Sequence, residues 1–126
     1  MEHISGTVVG VYQLDQSSYP DGLVYDGKYI WVAISTKSYV TRLLASTGEK
    51  MGNFPIGAVG CVGIEFDGKY MWVTNFDHDL IHKVVPGTGE VVASIETEPN
   101  SWPWAIPFDG VSLWVSSYAL GGLTKY

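Results

Sequence analysis

The densest group of side chains able to do chemistry is the stretch NFDHDLIH, residues 75 to 82, which brings Asp77, His78, Asp79 and His82 close together along the chain. Imidazole and carboxylate are the groups that bind divalent metals or shuttle protons. Their spacing matches no recognised ligand pattern, however. His78 falls at a loop tip, and His82 lies on a strand where it is expected to face outward. Asp77 and Asp79 are residue types that form turns. No metal site is therefore expected here. Glu65 in GIEFD is the second chemical candidate, because equivalent positions elsewhere in the chain hold Val24 and Pro107. A carboxylate beside a channel must take a raised pKa or find a donor or cation, unless the channel is wet. Glu65 and His78 are thus the catalytic candidates, although no motif assigns a role to either.

The elements that carry these residues are set by an internal repeat. YDGKYIWV (25–32), FDGKYMWV (66–73) and FDGVSLWV (108–115) recur with Asp26, Asp67 and Asp109 as anchors, 41 and 42 residues apart. Residues 6 to 32 align without a gap on 89 to 115, and the intervening copy (48 to 73) is one residue shorter. SYVTRLLASTGE (38–49) matches DLIHKVVPGTGE (79–90). Asp-Gly between two apolar runs is a strong hairpin signal, because glycine accepts the positive φ of the turn. The flanking segments are rich in the β-branched and aromatic residues that suit a pleated surface. No stretch shows helical periodicity, so the chain is expected to be all-β.

Each copy reads as four strands, the first three beginning with segments such as GLVYD, YIWVA and LIHKVV and the fourth represented by EVVASIE or TVVGVYQ. Four-stranded units at a period near 42 residues are the mark of β-propeller blades. The run FDGKYMWVTN…LIHKVVPGTGEVVASI resembles the YVTN-type repeat and the repeats of virginiamycin B lyase-like and NHL propellers. The resemblance spans nearly the whole chain. It implies a propeller, and it also implies an alternative function as a metal-assisted lyase in which His and Glu residues act with a divalent ion. The three units are expected at roughly 6–47, 48–88 and 89–126 of a single domain. On the repeat, Trp31, Trp72 and Trp114 are residues of the frame that pack one blade on the next.

Propellers typically have about four to eight blades, so three cannot close a ring. ISGTVVGVYQ reads as a fourth strand at one end of the chain, and LTKY lies in register with IHKV (81–84) at the other. The expected assembly is a six-bladed homodimer in which each N-terminal strand completes the partner's last blade, leaving no open edge. The alternative is half or a fragment of a larger propeller with no function beyond assembly.

Function is expected where the copies diverge, at the connections SYPDG (18–22), VGCVG (59–63) and SWPWA (101–105) and at the loops ISTKSY, NFDHDL and SSYALG. These loops share one mouth of a propeller channel. Tyr19, Asp21, Tyr39, Phe76, Trp102, Trp104 and Tyr118 are accordingly the candidate ligand-binding residues, suited to a sugar, a planar ring or a peptide. The favoured reading is a binding or scaffold module that needs no cofactor.

Composition narrows the partners. The net charge is −6 with only seven basic residues, which disfavours nucleic acid and anionic membranes. Cys61 is the only cysteine, so no intrachain disulfide forms. With no basic start, apolar core or cleavage site at its N-terminus, the sequence is expected to be cytoplasmic.

Overall fold

A computed structural model describes residues 4–126. The described residues form ten β-strands and no α-helix. The first sheet is a meander of β1 (Pro20–Tyr25), β2 (Tyr29–Ile34), β3 (Tyr39–Leu44) and β4 (Lys50–Pro55). The second repeats it with β5 (Cys61–Phe66), β6 (Met71–Asn75), β7 (Leu80–Val84) and β8 (Val91–Glu96). The third sheet has only β9 (Trp114–Ser117) paired with β10 (Gly122–Lys125). All pairings are antiparallel.

Every hairpin between a first and a second strand is built on one carboxylate. Asp67 Oδ1 accepts from the amides of Lys69 (2.8 Å) and Tyr70 (2.7 Å), and its Oδ2 accepts from the indole N–H of Trp72 at 2.8 Å. Asp26 holds Lys28, Tyr29 and Trp31 in the same way, and Asp109 holds Val111, Ser112 and Trp114. The following glycine sits at positive φ each time: 104° at Gly27, 99° at Gly68 and 99° at Gly110. Desolvation opposes ionisation of Asp26 and Asp67, but the donors outweigh it and hold both carboxyls below their ordinary value. At Asp109 the indole bond to Trp114 is the largest influence, followed by the two amides, and the pKa falls to about 2.

The core lies between successive sheets. Trp31, Val40, Ile64, Met71, Val73 and Val84 pack the first sheet on the second, with Trp31 tilted against Phe54 at 5.2 Å. Ile81, Ile106, Leu113 and Val115 join the second sheet to the third, with Trp72 against them. A cation stands over each repeated indole: Arg42 at 5.4 Å from Trp31, Lys83 at 5.5 Å from Trp72 and Lys125 at 5.2 Å from Trp114.

Within one copy TVVGVYQ forms no strand, because no element of the described chain offers its backbone a ladder partner; its expected partner is the edge of a second copy. Two expectations from the sequence are corrected. AIPFD forms no continuous strand: within it only Phe108 bridges to Leu113, and just upstream Pro103 bridges to Ser117. Pro103 and Pro107 lack the N–H groups that a continuous ladder requires. His82 does not face outward: it is buried, with Nδ1 2.9 Å from Ser94 Oγ. Its register partner Val73 lies in the core between the first two sheets, and burial followed by the charge of His78 lowers the His82 pKa.

Replacing Asp67 by Ala strands the Trp72 indole and two turn amides, and should lower unfolding free energy at neutral pH by about 1–3 kcal/mol. A depressed carboxyl pKa contributes stability above the unfolded value near 4 and loses it as pH falls through the folded value. The gap between wild type and Asp67→Ala in urea unfolding should therefore narrow as pH drops from about 4 toward 2. A constant gap would refute the assignment.

Candidate functional site

Four of the seven candidate ligand-binding residues converge. Phe76 follows β6, Trp102 and Trp104 lie in the connection entering the third sheet, and Tyr118 follows β9. Their ring centroids are 5.2 Å apart for Phe76 and Trp104, 5.3 Å for Trp104 and Tyr118, and 6.3 Å for Phe76 and Trp102. Trp102 and Tyr118 are nearly parallel, at 11° and 6.2 Å.

Trp102 is the unusual member. Its backbone is left-handed, with φ of 54°, and its side chain is 45% exposed. Bulky residues avoid that conformation, which costs of order 1–3 kcal/mol and persists only where surroundings impose it. Asp79 imposes it. One carboxylate oxygen accepts from the Trp102 amide at 3.1 Å and the other from the Asn100 amide at 2.8 Å. Asn100 is itself left-handed, with φ of 61°. From sequence Asp79 reads as a turn former. Its hold on residues 100 to 102, 21 or more positions away, has no local signal.

Trp104 is fixed from beneath by Thr74, another residue that sequence reasoning passed over. The buried Thr74 hydroxyl donates to the Trp104 carbonyl at 2.5 Å and accepts from the Gly63 amide at 2.9 Å. Gly63 must be glycine, since a Cβ there would strike the Trp104 carbonyl. The second sheet thus grips the backbone of the aromatic connection.

Trp104 also borders a groove of about 260 Å³ along the innermost segments, shared with Asp21, Gly22, Val62, Glu65 and Ile106. Desolvation raises the Asp21 pKa. Glu65 is committed to the frame: Oε1 accepts from the Phe66 amide at 2.9 Å and Oε2 from the Phe108 amide at 3.3 Å, bridging two sheets. His78 stands outside this groove, its Nδ1 3.1 Å from Asn75 Oδ1. Among the described residues, no three His, Cys, Asp or Glu side chains gather as a metal ion would need.

Tyr19 and Tyr39 are not in ring contact with the four. Tyr19 is exposed, with its amide donating to Thr36 Oγ1 at 3.2 Å. The Tyr39 hydroxyl donates to Asp15 at 2.7 Å, and this bond raises the Tyr39 pKa. Both serve the first sheet, whose mouth loop does not reach the aromatic group.

No family model and no curated protein sequence matches the chain. Solved structures do. Virginiamycin B lyase from Staphylococcus aureus superposes with a TM-score of 0.71 at 22% identity, over 91% of this chain and 43% of that one. A streptogramin B lyase gives 0.72 at 18% identity, over 91% and 43%. The computationally designed Ika8 protein gives 0.74 at 12%, over 96% and 36%. The chain therefore has a virginiamycin B lyase-like propeller fold and spans less than half the length of these structures. At such identities the likeness concerns the fold alone.

Thr74→Val should destabilise the protein by about 1–3 kcal/mol, because it leaves the Gly63 amide and Trp104 carbonyl unpaired in a buried setting. It should also shift the tryptophan emission, and that shift should vanish in a Trp104→Phe background. An emission change that survives in that background would show that Thr74 does not position Trp104.

Proposed function

We propose that the protein is a propeller module that holds a small ligand, a sugar, a planar ring or a peptide segment, at the mouth formed by Phe76, Trp102, Trp104 and Tyr118. The observation that carries this reading is Trp102, held by Asp79 in a strained conformation with its ring half in solvent and parallel to Tyr118. Strain maintained by a dedicated carboxylate suits a preorganised contact better than a packing residue, which would be covered. The adjoining groove adds Asp21 as a polar group to orient the ligand, with Glu65 bracing its wall.

The same reading makes the units at roughly 6–47, 48–88 and 89–126 three blades, with two copies of the chain closing a six-bladed ring. The groove beside Trp104 would then be half of a channel wall completed by the second copy. A metal-assisted lyase is the competing reading, supported by the likeness to the Staphylococcus aureus enzyme and by Glu65 at the groove.

Ligand binding is tested by NMR titration with oligosaccharides and planar aromatic compounds. Trp104→Ala and Trp102→Ala should each weaken binding about tenfold or more, a loss of about 1.4 kcal/mol, while EDTA leaves it unchanged. Affinity untouched in both variants refutes the aromatic site. Activity abolished by EDTA and by Glu65→Gln or His78→Ala would establish the lyase reading instead. Light scattering across a dilution series should give twice 13.8 kDa for the two-copy ring. A single-chain mass at every concentration overturns it.

A further inference from the structure

Residues 7 to 14 run without a strand partner, and Val8, Val9 and Val11 are 74%, 96% and 76% exposed. They are nonetheless anchored. A Cβ on Gly48, in the turn between β3 and β4, would meet the Tyr12 ring. The equivalent turn glycine of the second sheet, Gly89, has the same relation to the ring of Phe54, on the outermost strand of the first sheet. Asp15 reinforces the placement by accepting from Lys50 Nζ (2.5 Å), Asn53 Nδ2 (2.9 Å) and Tyr39 Oη (2.7 Å). In the repeat alignment Tyr12 corresponds to Ile95 on β8, and through the register of β3 with β4 and β7 with β8 to Phe54 on β4. The segment therefore lies against the first sheet just as β4 lies against the second. It occupies the place of the outermost strand of a sheet whose other strands are not beside it.

The third sheet shows the reciprocal feature. β10 pairs only with β9, and every one of its residues is exposed. Leu123 is 71% exposed, while its equivalents Val40 and Ile81 are buried. Beside β10 lies a cavity of about 220 Å³ lined by Thr97, Glu98, Pro103, Leu123, Thr124 and Tyr126. Glu98 corresponds to Asp15, and Asp15 reaches Lys50 and Asn53 on the outermost strand of the first sheet. The cavity is thus bounded by the residues that border a fourth strand in the complete sheets.

We infer that residues 8 to 13 of one copy add to β10 of a second copy as its outermost antiparallel strand, pairing Gln13 with Gly122, Tyr12 with Leu123, Val11 with Thr124, Gly10 with Lys125 and Val8 with Tyr126. This inference rests on the two-copy ring reading and gives it a register. The register copies that of β7 with β8, where Leu80, Ile81, His82, Lys83 and Val84 face Glu96, Ile95, Ser94, Ala93 and Val91. The irregularity between Lys83 and Val84 falls at Val92, and so at Val9 in the trans pairing. Position 10 is glycine, like Gly52, which faces Arg42 in the first sheet. Strand addition gives the exposed edge and the three exposed valines their partners at once. Because the donated segment is already seated on its own first sheet, docking also brings that sheet over Leu123. Two such joints related by a twofold axis close the assembly without a free edge.

The test combines mass with cross-linking. Val11→Cys/Thr124→Cys is oxidised under mild conditions to form a direct disulfide and compared with Val11→Cys/Val111→Cys, which places the second thiol on the exposed hairpin turn of the same sheet. All three positions are exposed in a single copy, so folding of each chain should survive, as circular dichroism can verify. Cys61 is buried, with its thiol pushed up to about 12 by desolvation, and should not compete. The expected result is a covalent dimer at least about tenfold more abundant than in the control, with no larger species. A dimeric mass without the 11–124 cross-link overturns the register and leaves the ring reading standing. A monomeric mass overturns both. A ladder of higher oligomers overturns the closed pair in favour of open strand addition.

Discussion

One carboxylate in each hairpin, accepting two turn amides and an indole N–H, is the interaction on which the three sheets depend. It does two things at once. It fixes the turn between the first and second strands, and it orients a tryptophan five residues on toward the boundary with a neighbouring sheet. Trp31 lies in the core and Trp72 packs against it, and a cation stands over the ring of all three tryptophans. Turn, strand pairing and sheet-to-sheet packing are thereby coupled through one side chain. The depressed carboxyl pKa values are the electrostatic trace of that coupling.

With the frame secured by repeated residues, the unrepeated ones join the sheets to one another. Glu65 bridges the second sheet to Phe108, Thr74 grips Trp104, and Asp79 grips Trp102. All three reach from the second sheet into the connection that enters the third, where proline prevents a regular inner strand. The aromatic mouth is built on this irregular segment. Backbone hydrogen bonds to β9 and the turn after it hold the segment to its own sheet, and side chains from the neighbouring sheet fix Trp102 and Trp104 within it.

Much of the architecture was legible because it is local. The Asp-Gly turns, the alternating strands and the 41- and 42-residue spacing are one-dimensional patterns, and the observed strands of the first two sheets follow them. Legibility failed where a residue's environment is made by distant chain. His82 alternates as an outward residue, but the next layer covers both faces of β7. Of the rim aromatics, Phe76, Trp102, Trp104 and Tyr118 meet because the second and third sheets are adjacent. Tyr19 and Tyr39 belong to the first sheet and turn to their own hydrogen bonds.

The sequence by itself determined the all-β class, the repeat, the hairpins and the shortlist of divergent aromatic and acidic residues. Those follow from short-range rules: backbone preferences at Asp-Gly, alternation along a strand, and a frame written three times. Only the tertiary structure decided which candidates meet, that Asp79 and Thr74 hold two of them, that Glu65 is spent as a brace, and that the Tyr12 ring seats the N-terminal segment on a turn of the first sheet. The reason is physical. Hydrogen bonds and burial act over a few ångströms in space, and a chain brings residues 21, 30 or 43 positions apart within that range only by folding.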